Sequence, residues 1–379
     1  MENLIVKNVV IVVMFSIKDK VGGHIISGIQ LANILVENNI GVSFLTSKDL
    51  PLLSKLDPKV KIIADNTSSR GFTGLLFRGK RLVRLLISTK ADLVITFDKV
   101  TCYHSVLPCT LLKRRLLPIL PGGNGYDFHF SAPLKLKSII TFSEEIKLKL
   151  IQRWNFPVES IHVNASRFSF PPFTSKVHMI KNPARIVYIT GMRYDKLSSF
   201  EFFLDEFKSL TDINIIVDVI GDGDSRHLFE KLAEEKGIKN IFFIGFKEVN
   251  DALLSKYDLV VTMGRGIIEG IGFGVPVAIS GENGYKGIVD DNNFEKFSTT
   301  NFTGRNVVAN GSLDQDLNRL YGNELCYLDG LNRKVREKYD VSNLHKEILN
   351  LYSNELVPYN GNLILAATNL IKTIINKKS

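Results

Sequence analysis

The sequence has few cysteines, and they do not form a metal-binding pattern. The chain of 379 residues contains three, Cys102, Cys109 and Cys326, and no two of them are separated by the two residues typical of zinc or redox motifs. This scarcity excludes a disulfide framework and a zinc ribbon, and it favours a reducing compartment. We therefore expect a protein of the cytoplasm.

Long apolar runs are absent as well. A membrane-spanning helix needs about 20 consecutive apolar residues, whereas the apolar stretch near the start, residues 8–17, is about half that length. Lys18, Asp19 and Lys20 follow it, and no small-residue cleavage site does. We interpret this stretch as a first buried strand rather than as a signal peptide.

Two catalytic signatures are also missing. Gly22 and Gly23 follow the first predicted strand without the GxGxxG spacing of a dinucleotide fingerprint, which disfavours an NAD enzyme. No pair of carboxylates stands at positions that suggest a glycosidase. What remains is an ordinary globular composition, 45% hydrophobic, with a formal charge of +9. That charge is compatible with an anionic substrate, an anionic membrane surface or nucleic acid.

Strand-like runs alternate with helical periodicity through both halves of the chain. This alternation predicts an α/β fold of two Rossmann-like domains facing each other across a cleft. A connection rich in proline, with Pro171, Pro172 and Pro183, marks the boundary between residues 1–170 and 184–357. The predicted strands are residues 9–15, 41–46, 61–64, 93–97, 116–120, 138–142, 185–190, 214–220, 241–244, 259–262 and 276–279.

Helical periodicity returns near the end of the chain. Residues 331–352 are predicted as one helix, and residues 362–376 as a second one, which is apolar on one side. We expect the segment 358–379 to pack back on the first domain. A helix lying on a membrane surface is the alternative.

The loops after the strands are where ligands bind in such folds, and one stretch, Asp258–Val277, organises the others. It predicts a strand, a turn bracketed by Gly264 and Gly266 that carries Arg265, and a helix with Glu269 in its first turn. Backbone N–H groups and a positive helix end then point at one spot, which suits a diphosphate. Alternatively, the glycines only make a turn, and Glu269 complements the helix dipole.

Three further loops carry charges or glycines. Arg193 and Lys196, after the first strand of the second half, suit a pyrophosphate clamp, although a solvated loop is the alternative. Gly221-Asp222-Gly223-Asp224 resembles a metal site, but we interpret it as a tight turn with Asp224 and Ser225 capping the next helix. Residues 281–287 are predicted as a flexible glycine loop.

Taken in order, these motifs resemble the GT-B glycosyltransferases and are most similar to the retaining family 4 group. The resemblance covers about residues 8 to 355. It implies that Arg193 and Lys196 hold a donor diphosphate, that Glu269 binds the donor ribose and that Gly23 lies under the phosphates or the acceptor. The residues that carry it are Gly22, Gly23, Gly191, Arg193, Lys196, Gly221, Gly223, Glu269, Gly274 and Pro276.

The sequence departs from the family pattern at several positions. Val261 occupies the place of the first glutamate of the E-x7-E motif, whose second glutamate is Glu269, and the loop before Glu269 is shorter than usual. The spacing from Arg193 to Lys196 is tighter than the common one. The histidine that the family often places after a first-domain strand has no clear match, with His129 and His104 as candidates.

The function implied by the resemblance is sugar transfer from a nucleotide-diphospho-sugar, with a UDP-sugar favoured as donor. We expect a retaining reaction without a metal or another cofactor. A glycan or lipid-linked precursor of the cell envelope is the expected acceptor, and no nucleic-acid partner is expected. Two alternatives are a nucleotide-sugar 2-epimerase and a degenerate GT-B protein that only binds. Val261 supports the second alternative, whereas Arg193, Lys196 and Glu269 oppose it.

A basic, leucine-rich stretch at residues 75–86 predicts peripheral contact with an anionic membrane at its inner face. Each basic residue near such a surface contributes roughly 1 kcal/mol. The rival interpretation is an ordinary amphipathic helix with a solvated basic face and with Leu75, Leu82 and Leu85 in the core. The basic residues are Arg78, Lys80, Arg81 and Arg84.

Overall fold

The apolar runs predicted as strands form two separate sheets. The computed structural model describes residues 6–13, 23–47, 51–65, 71–122, 136–172, 184–210, 215–308, 311–322 and 328–360. Within that part of the chain, one compact unit takes the residues up to Ser169 and those from Val341 onward, and the other is Phe170–Asp340.

The sheet of the first unit is parallel throughout, in the strand order β3-β2-β1-β4-β5-β6-β7. Side chains of its central strand alternate between two cores, with Val9 and Ile11 in one and Val10 and Val12 in the other. Burial on both faces explains the continuous apolar run. Its strands are β1 (Asn8–Val12), β2 (Gly41–Ser47), β3 (Lys61–Asp65), β4 (Leu93–Phe97), β5 (Arg115–Leu120), β6 (Ile139–Thr141) and β7 (Ile161–Val163).

The sheet of the second unit has the order β10-β9-β8-β11-β12-β13 and is parallel except for its last pair. An aromatic cluster including Tyr188, Phe200, Phe203 and Phe229 fills its core. Its strands are β8 (Arg185–Ile189), β9 (Ile216–Ile220), β10 (Ile241–Gly245), β11 (Leu259–Thr262), β12 (Val277–Gly281) and β13 (Gly284–Ile288).

Helices connect and cover the strands. Short 3-10 helices lie at Pro51–Lys55, Val158–Ser160 and Tyr194–Lys196. The α-helices are α1 (Gly23–Glu37), α2 (Gly71–Thr89), α3 (Lys99–Leu112), α4 (Glu144–Trp154), α5 (Leu197–Lys208), α6 (Arg226–Glu235), α7 (Asp251–Leu254), α8 (Arg265–Gly272), α9 (Phe294–Ser298), α10 (Leu313–Tyr321), α11 (Leu328–Tyr339) and α12 (Val341–Asn354). None of the helices described is long and apolar enough to cross a membrane.

The prediction of a flexible glycine loop at residues 281–287 is wrong, because most of this segment belongs to the buried antiparallel strand β13. Gly284 and Gly287 have φ values of 114° and 83°, and glycine adopts such values without strain. The hydroxyl of the buried Tyr285 donates to Asp316 Oδ2 at 2.7 Å. The glycines therefore shape a hairpin rather than a flexible loop.

The single helix predicted at residues 331–352 is two helices, α11 and α12. Between them, the amide of Val341 donates to the carbonyl of Phe168 at 2.8 Å, a contact that interrupts the helical hydrogen bonds. Helix α12 packs with α1 and places Leu344 and Ile348 in the core of the first unit. The chain thus returns to the first unit at Val341, earlier than the boundary predicted after residue 357. The helix predicted at residues 362–376 lies outside the described residues.

The basic stretch, residues 75–86, lies within α2. Leu82 and Leu85 are buried in the core of the first unit, as the rival interpretation required, and the side chain of Leu75 lies outside the described part. Lys80 and Arg84 are exposed. The helix thus has an apolar inner face and a basic outer one.

Candidate functional site

Strands β8 and β11 pair directly, while the helices that follow them continue to different parts of the second sheet. After β8 the chain goes through α5 to β9 on one side, and after β11 it goes through α8 to β12 on the other. Such a switch point opens a crevice at the carboxyl ends of the two strands. Thr262 Oγ1 donates to the carbonyl of Ile189 at 2.7 Å and ties these two strand ends together.

The loop after β8 carries Arg193 and Lys196 in different surroundings. Arg193 makes a two-pronged ion pair with Asp195, with both N–O distances at 3.0 Å, and both side chains are more than half exposed. The 3-10 turn at Tyr194–Lys196 directs Lys196 toward the neighbouring loop, where its Nζ lies 3.2 Å from Met263 Sδ. Burial lowers the pKa of Lys196 below the ordinary lysine value. The structure thus brings together two loops that are 67 residues apart in the chain.

The turn after β11 is as short as the sequence predicted. Gly264, with a φ of 65°, precedes the first helical residue, and its amide donates to the carbonyl of Phe302 at 2.9 Å. A Cβ on Gly266 would lie 2.6 Å from Thr262 Oγ1, so only glycine lets α8 begin this close to the strand.

Arg265 and Glu269 are partners in one ion pair, with Nε and Oε1 2.8 Å apart and side chains only 14% and 15% exposed. Glu269 is the fifth residue of α8 and so lies in its second turn, because the helix begins only at Arg265. The prediction of a first-turn position is therefore wrong. The pair follows the i,i+4 spacing that helices favour.

Val261 lies in β11 and is fully buried in the core. Only Met263 and Gly264 separate the strand from α8, so counting eight residues back from Glu269 reaches the strand interior. The loop has no acidic residue because it is too short to hold one at that spacing.

Gly221-Asp222-Gly223 is a packing turn. Cβ atoms on Gly221 and Gly223 would lie 1.7 Å and 2.3 Å from the carbonyl oxygens of Thr190 and Met192. The amide of Met192 also donates to the carbonyl of Asp222 at 3.1 Å. The turn therefore supports the loop that carries Lys196.

The cap predicted for the helix after this turn is wrong. Ser225 precedes α6 but makes no side-chain capping bond. Within the turn itself, Asp222 Oδ1 accepts from the amide of Gly223 at 2.8 Å. The carboxylate of Asp222 thus binds within the turn and not to the helix, because the tight turn brings the amide of Gly223 close to it. In the part of the chain that the structure describes, no cluster of three or more histidine, cysteine or acidic residues could hold a metal ion.

A charged pair that the sequence did not reveal lies beyond β12. Arg305 Nη1 and Glu282 Oε1 are 3.1 Å apart, with the side chains 19% and 21% exposed. Both charges act on Lys196, whose pKa Glu282 raises and Arg305 lowers. The partners are 23 positions apart in the chain, and no local pattern could have linked them.

The first unit holds fewer of the predicted residues in its described part. Gly22 and His129 lie outside the described residues, while Gly23 is the first residue of α1 and accepts from Ser27 Oγ at 2.9 Å. His104 lies on α3 and is half-buried. Whether Gly23 contacts a ligand stays a prediction.

Comparisons with known proteins agree with this geometry. A family model described as "Glycosyl transferases group 1" matches residues 174–314. A glycosyltransferase from Rickettsia africae ESF-5 superposes with a TM-score of 0.65 at 15% identity, covering 91% of this chain and 97% of the other. No curated protein sequence matches the chain.

Two further structures were solved with UDP. A mutant of S. aureus TarM, in complex with Fondaparinux, alpha-GlcNAc-glycerol and UDP, has a TM-score of 0.65 at 12% identity, with 92% and 100% of the two chains covered. HepE from Anabaena, with UDP and glucose, has a TM-score of 0.64 at 13% identity and the same coverage.

The two parallel-dominated units define a GT-B fold, which the structural likenesses establish over 91% of the chain. The second unit carries a glycosyl transferases group 1 domain, and the chain is a glycosyltransferase. The narrower assignment to the retaining family 4 group stays a prediction.

Proposed function

We propose that the protein transfers a sugar, with retention, from a UDP-sugar to a glycan or lipid-linked acceptor of the cell envelope. The observation that carries the proposal is the contact of Lys196 Nζ with Met263 Sδ at 3.2 Å. It places a half-buried cation beside the turn that opens α8, where the backbone presents its positive end.

Sugar transfer requires a positive electrostatic potential at the leaving diphosphate. When the bond between the sugar C1 and the diphosphate oxygen breaks, negative charge develops on that oxygen. A new bond forms from C1 to the acceptor oxygen, and the proton of the acceptor hydroxyl passes to the departing diphosphate. Lys196 and the start of α8 stabilise this charge. Arg193 joins them by exchanging Asp195 for a phosphate, since the pair is exposed. We infer that these groups replace a divalent metal, so activity survives EDTA.

Glu269 binds the ribose in this proposal. A carboxylate accepts hydrogen bonds from two neighbouring hydroxyls, and such charge-assisted bonds contribute about 1.5–3 kcal/mol. Arg265 holds the carboxylate at 2.8 Å. The UDP in the TarM and HepE complexes supports uridine as the nucleoside. The alpha-GlcNAc-glycerol in the TarM complex supports an acceptor of the glycan class.

The outer face of α2 supports a lipid-linked acceptor. Lys80 and Arg84 are exposed there, and so is Ile87, with 57% of its surface accessible. Basic and apolar side chains on one exposed face suit the headgroups of an anionic leaflet. We propose contact with the cytoplasmic side of the cell membrane through this face.

The test is UDP release from a panel of UDP-sugars by the purified full chain, with affinities measured by calorimetry. Lys196→Ala and Glu269→Ala should each weaken UDP binding about ten- to a hundredfold. Lys208→Ala, at the exposed far end of α5, is the matched control and should bind as the wild type does. Wild-type protein that neither binds UDP nor releases it from any donor would refute the proposal. Loss of activity in EDTA, restored by Mg²⁺ or Mn²⁺, would refute the metal-independent mechanism.

A further inference from the structure

Glu282 and Arg305 form a largely covered ion pair at the carboxyl end of β12, the strand next to β11. Glu282 lies in the turn of the β12–β13 hairpin, and Arg305 approaches it from a distant segment. About four-fifths of each side chain is covered, with 21% and 19% exposed. Neither residue belongs to the machinery proposed above for the diphosphate or the ribose.

The backbone around the pair keeps it in place. A Cβ on Gly281 would lie 2.6 Å from the carbonyl oxygen of Thr303, so the hairpin and the segment before Arg305 are in close contact. Gly304, with a φ of 73°, packs against Lys286 and Ile279. The carboxylate of Glu282 is therefore fixed relative to the strand ends.

The charges of the pair reach the diphosphate site. Burial is the main cause that lowers the pKa of Lys196, and Arg193 and Arg305 lower it further, whereas Asp195 and Glu282 raise it. A lone carboxylate near enough to raise the pKa of Lys196 would also repel a diphosphate bound beside that lysine. Paired with Arg305, it adds no net charge and still offers oxygen atoms that accept hydrogen bonds.

Glu282 is thus a hydrogen-bond acceptor that lies near the diphosphate site but does not suit phosphate. It suits the sugar that is attached to the diphosphate. Sugar hydroxyls are donors, and a carboxylate held by an arginine is a strong acceptor for them. We propose that Glu282, held by Arg305, binds hydroxyls of the transferred sugar and selects the donor sugar. The inference rests on the proposed function and adds a specificity-determining residue to it.

The test separates binding of the sugar from binding of the nucleotide. In Glu282→Gln, affinity for the UDP-sugar that the wild type hydrolyses should fall about tenfold, while affinity for UDP should stay the same. Glu230→Gln is the matched control, because Glu230 also pairs with an arginine, Arg226, at 2.7 Å but on α6. A parallel loss for UDP and UDP-sugar would overturn the inference, and so would no loss for either.

A second measurement uses the ligand instead of the protein. Deoxy analogues of the donor sugar, each lacking one hydroxyl, should bind the wild type more weakly at the position that Glu282 contacts. For that analogue, Glu282→Gln should cause no further loss, which a purely structural role would not produce. Thermal unfolding of the variant checks that the fold is kept.

The two proposals fail in different ways. Wild-type protein that binds neither UDP nor a UDP-sugar removes both. Wild-type protein that binds and hydrolyses a UDP-sugar, with unchanged sugar preference in Glu282→Gln, removes only the role of Glu282. In that case the ion pair would serve only to fix the hairpin.

Discussion

Both units are built on parallel sheets, yet they place their positive charges in different surroundings. In the first unit, α2 exposes Lys80 and Arg84, and the helix Gly71–Thr89 contains no acidic residue. In the second unit, three arginines near the carboxyl end of the sheet each lie within hydrogen-bonding distance of a carboxylate. These pairs are Arg193 with Asp195, Arg265 with Glu269 and Arg305 with Glu282.

The difference concerns the kind of ligand each surface selects. An exposed basic face attracts any anionic surface, and salt screens that attraction. In the second unit each of these cations is already paired with a carboxylate. A ligand must therefore offer a phosphate that replaces the carboxylate, as proposed for Arg193, or hydroxyls that bind the paired carboxylate, as proposed for Glu269 and Glu282. A nucleotide-sugar offers both. We therefore expect the second unit to be selective and the first to respond mainly to charge.

The largest effect should come from distorting the turn Gly221-Asp222-Gly223, which supports the loop that carries Arg193 and Lys196. In Gly221→Ala, the new Cβ would lie 1.7 Å from the carbonyl oxygen of Thr190 at a φ of 139°. The loop must move, and the free energy of unfolding should fall by about 3 kcal/mol or more. Urea unfolding of the full chain measures this.

Gly191→Ala, in the loop that this turn supports, is the matched control. No atom lies within 4 Å of its added Cβ. Its stability should therefore stay within about 0.5 kcal/mol of the wild type. Equal stability of the two variants would mean that the turn does not hold the loop.

The next effect concerns the exposed face of α2. Replacing Arg78, Lys80, Arg81 and Arg84 with serine should weaken binding to vesicles of anionic lipid by roughly a hundredfold, since each basic residue contributes up to about 1 kcal/mol. Wild-type binding should also fall as salt rises. UDP affinity should stay unchanged. Sedimentation with anionic and neutral vesicles measures the binding.

The control replaces four exposed lysines of the second unit with serine and should leave vesicle binding unchanged. Equal sedimentation of the wild type with both lipids, or with neither, would favour the rival interpretation of α2 as a helix with a solvated face. The control lysines are Lys208, Lys231, Lys239 and Lys256.

The smallest effect is a shift in the pH dependence of UDP affinity, caused by the titration of Lys196. Burial lowers the pKa of Lys196, so this lysine loses its charge at a lower pH than an exposed one, and UDP affinity should fall as pH rises through that pKa. Asp195 raises the pKa of Lys196, so Asp195→Asn should move the fall in affinity to lower pH. The expected change at a fixed alkaline pH is a few-fold, measured by calorimetry. Asp291→Asn, at an exposed position, should follow the wild-type profile, and a shared profile for both variants would contradict the assignment.

The sequence predicted much of the fold because the relevant signals are local. Continuous apolar runs identified the central strands of both sheets, including β8 and β11, whose direct pairing creates the switch point. The short turn before α8 was also apparent, because glycines flank Arg265. The prediction placed Glu269 one turn too early, since the first residue of a helix depends on backbone geometry.

Features set by contacts between distant residues could not be predicted. The break between α11 and α12 depends on the hydrogen bond from Val341 to Phe168. Asp340, of a type favoured at helix N-caps, precedes α12, but such a residue alone does not show that a helix is interrupted. Strand β13 was hidden because its glycines are typical of loops. The pairing of Glu282 with Arg305 needs the packing of two segments that no periodicity connects.

The position of α12 has a consequence for the order in which the protein is made. The chain leaves the first unit after Ser169 and re-enters it at Val341, and the hydrogen bond to Phe168 makes these two crossing points neighbours. The second unit is thus an insertion between adjacent points of the first. During synthesis, its residues are all available before Leu344 and Ile348 reach the core of the first unit. The first unit is therefore synthesised first but completed last. A stop codon after Asp340 would leave all residues of the second unit in place, whereas the first unit would lack α12 in its core.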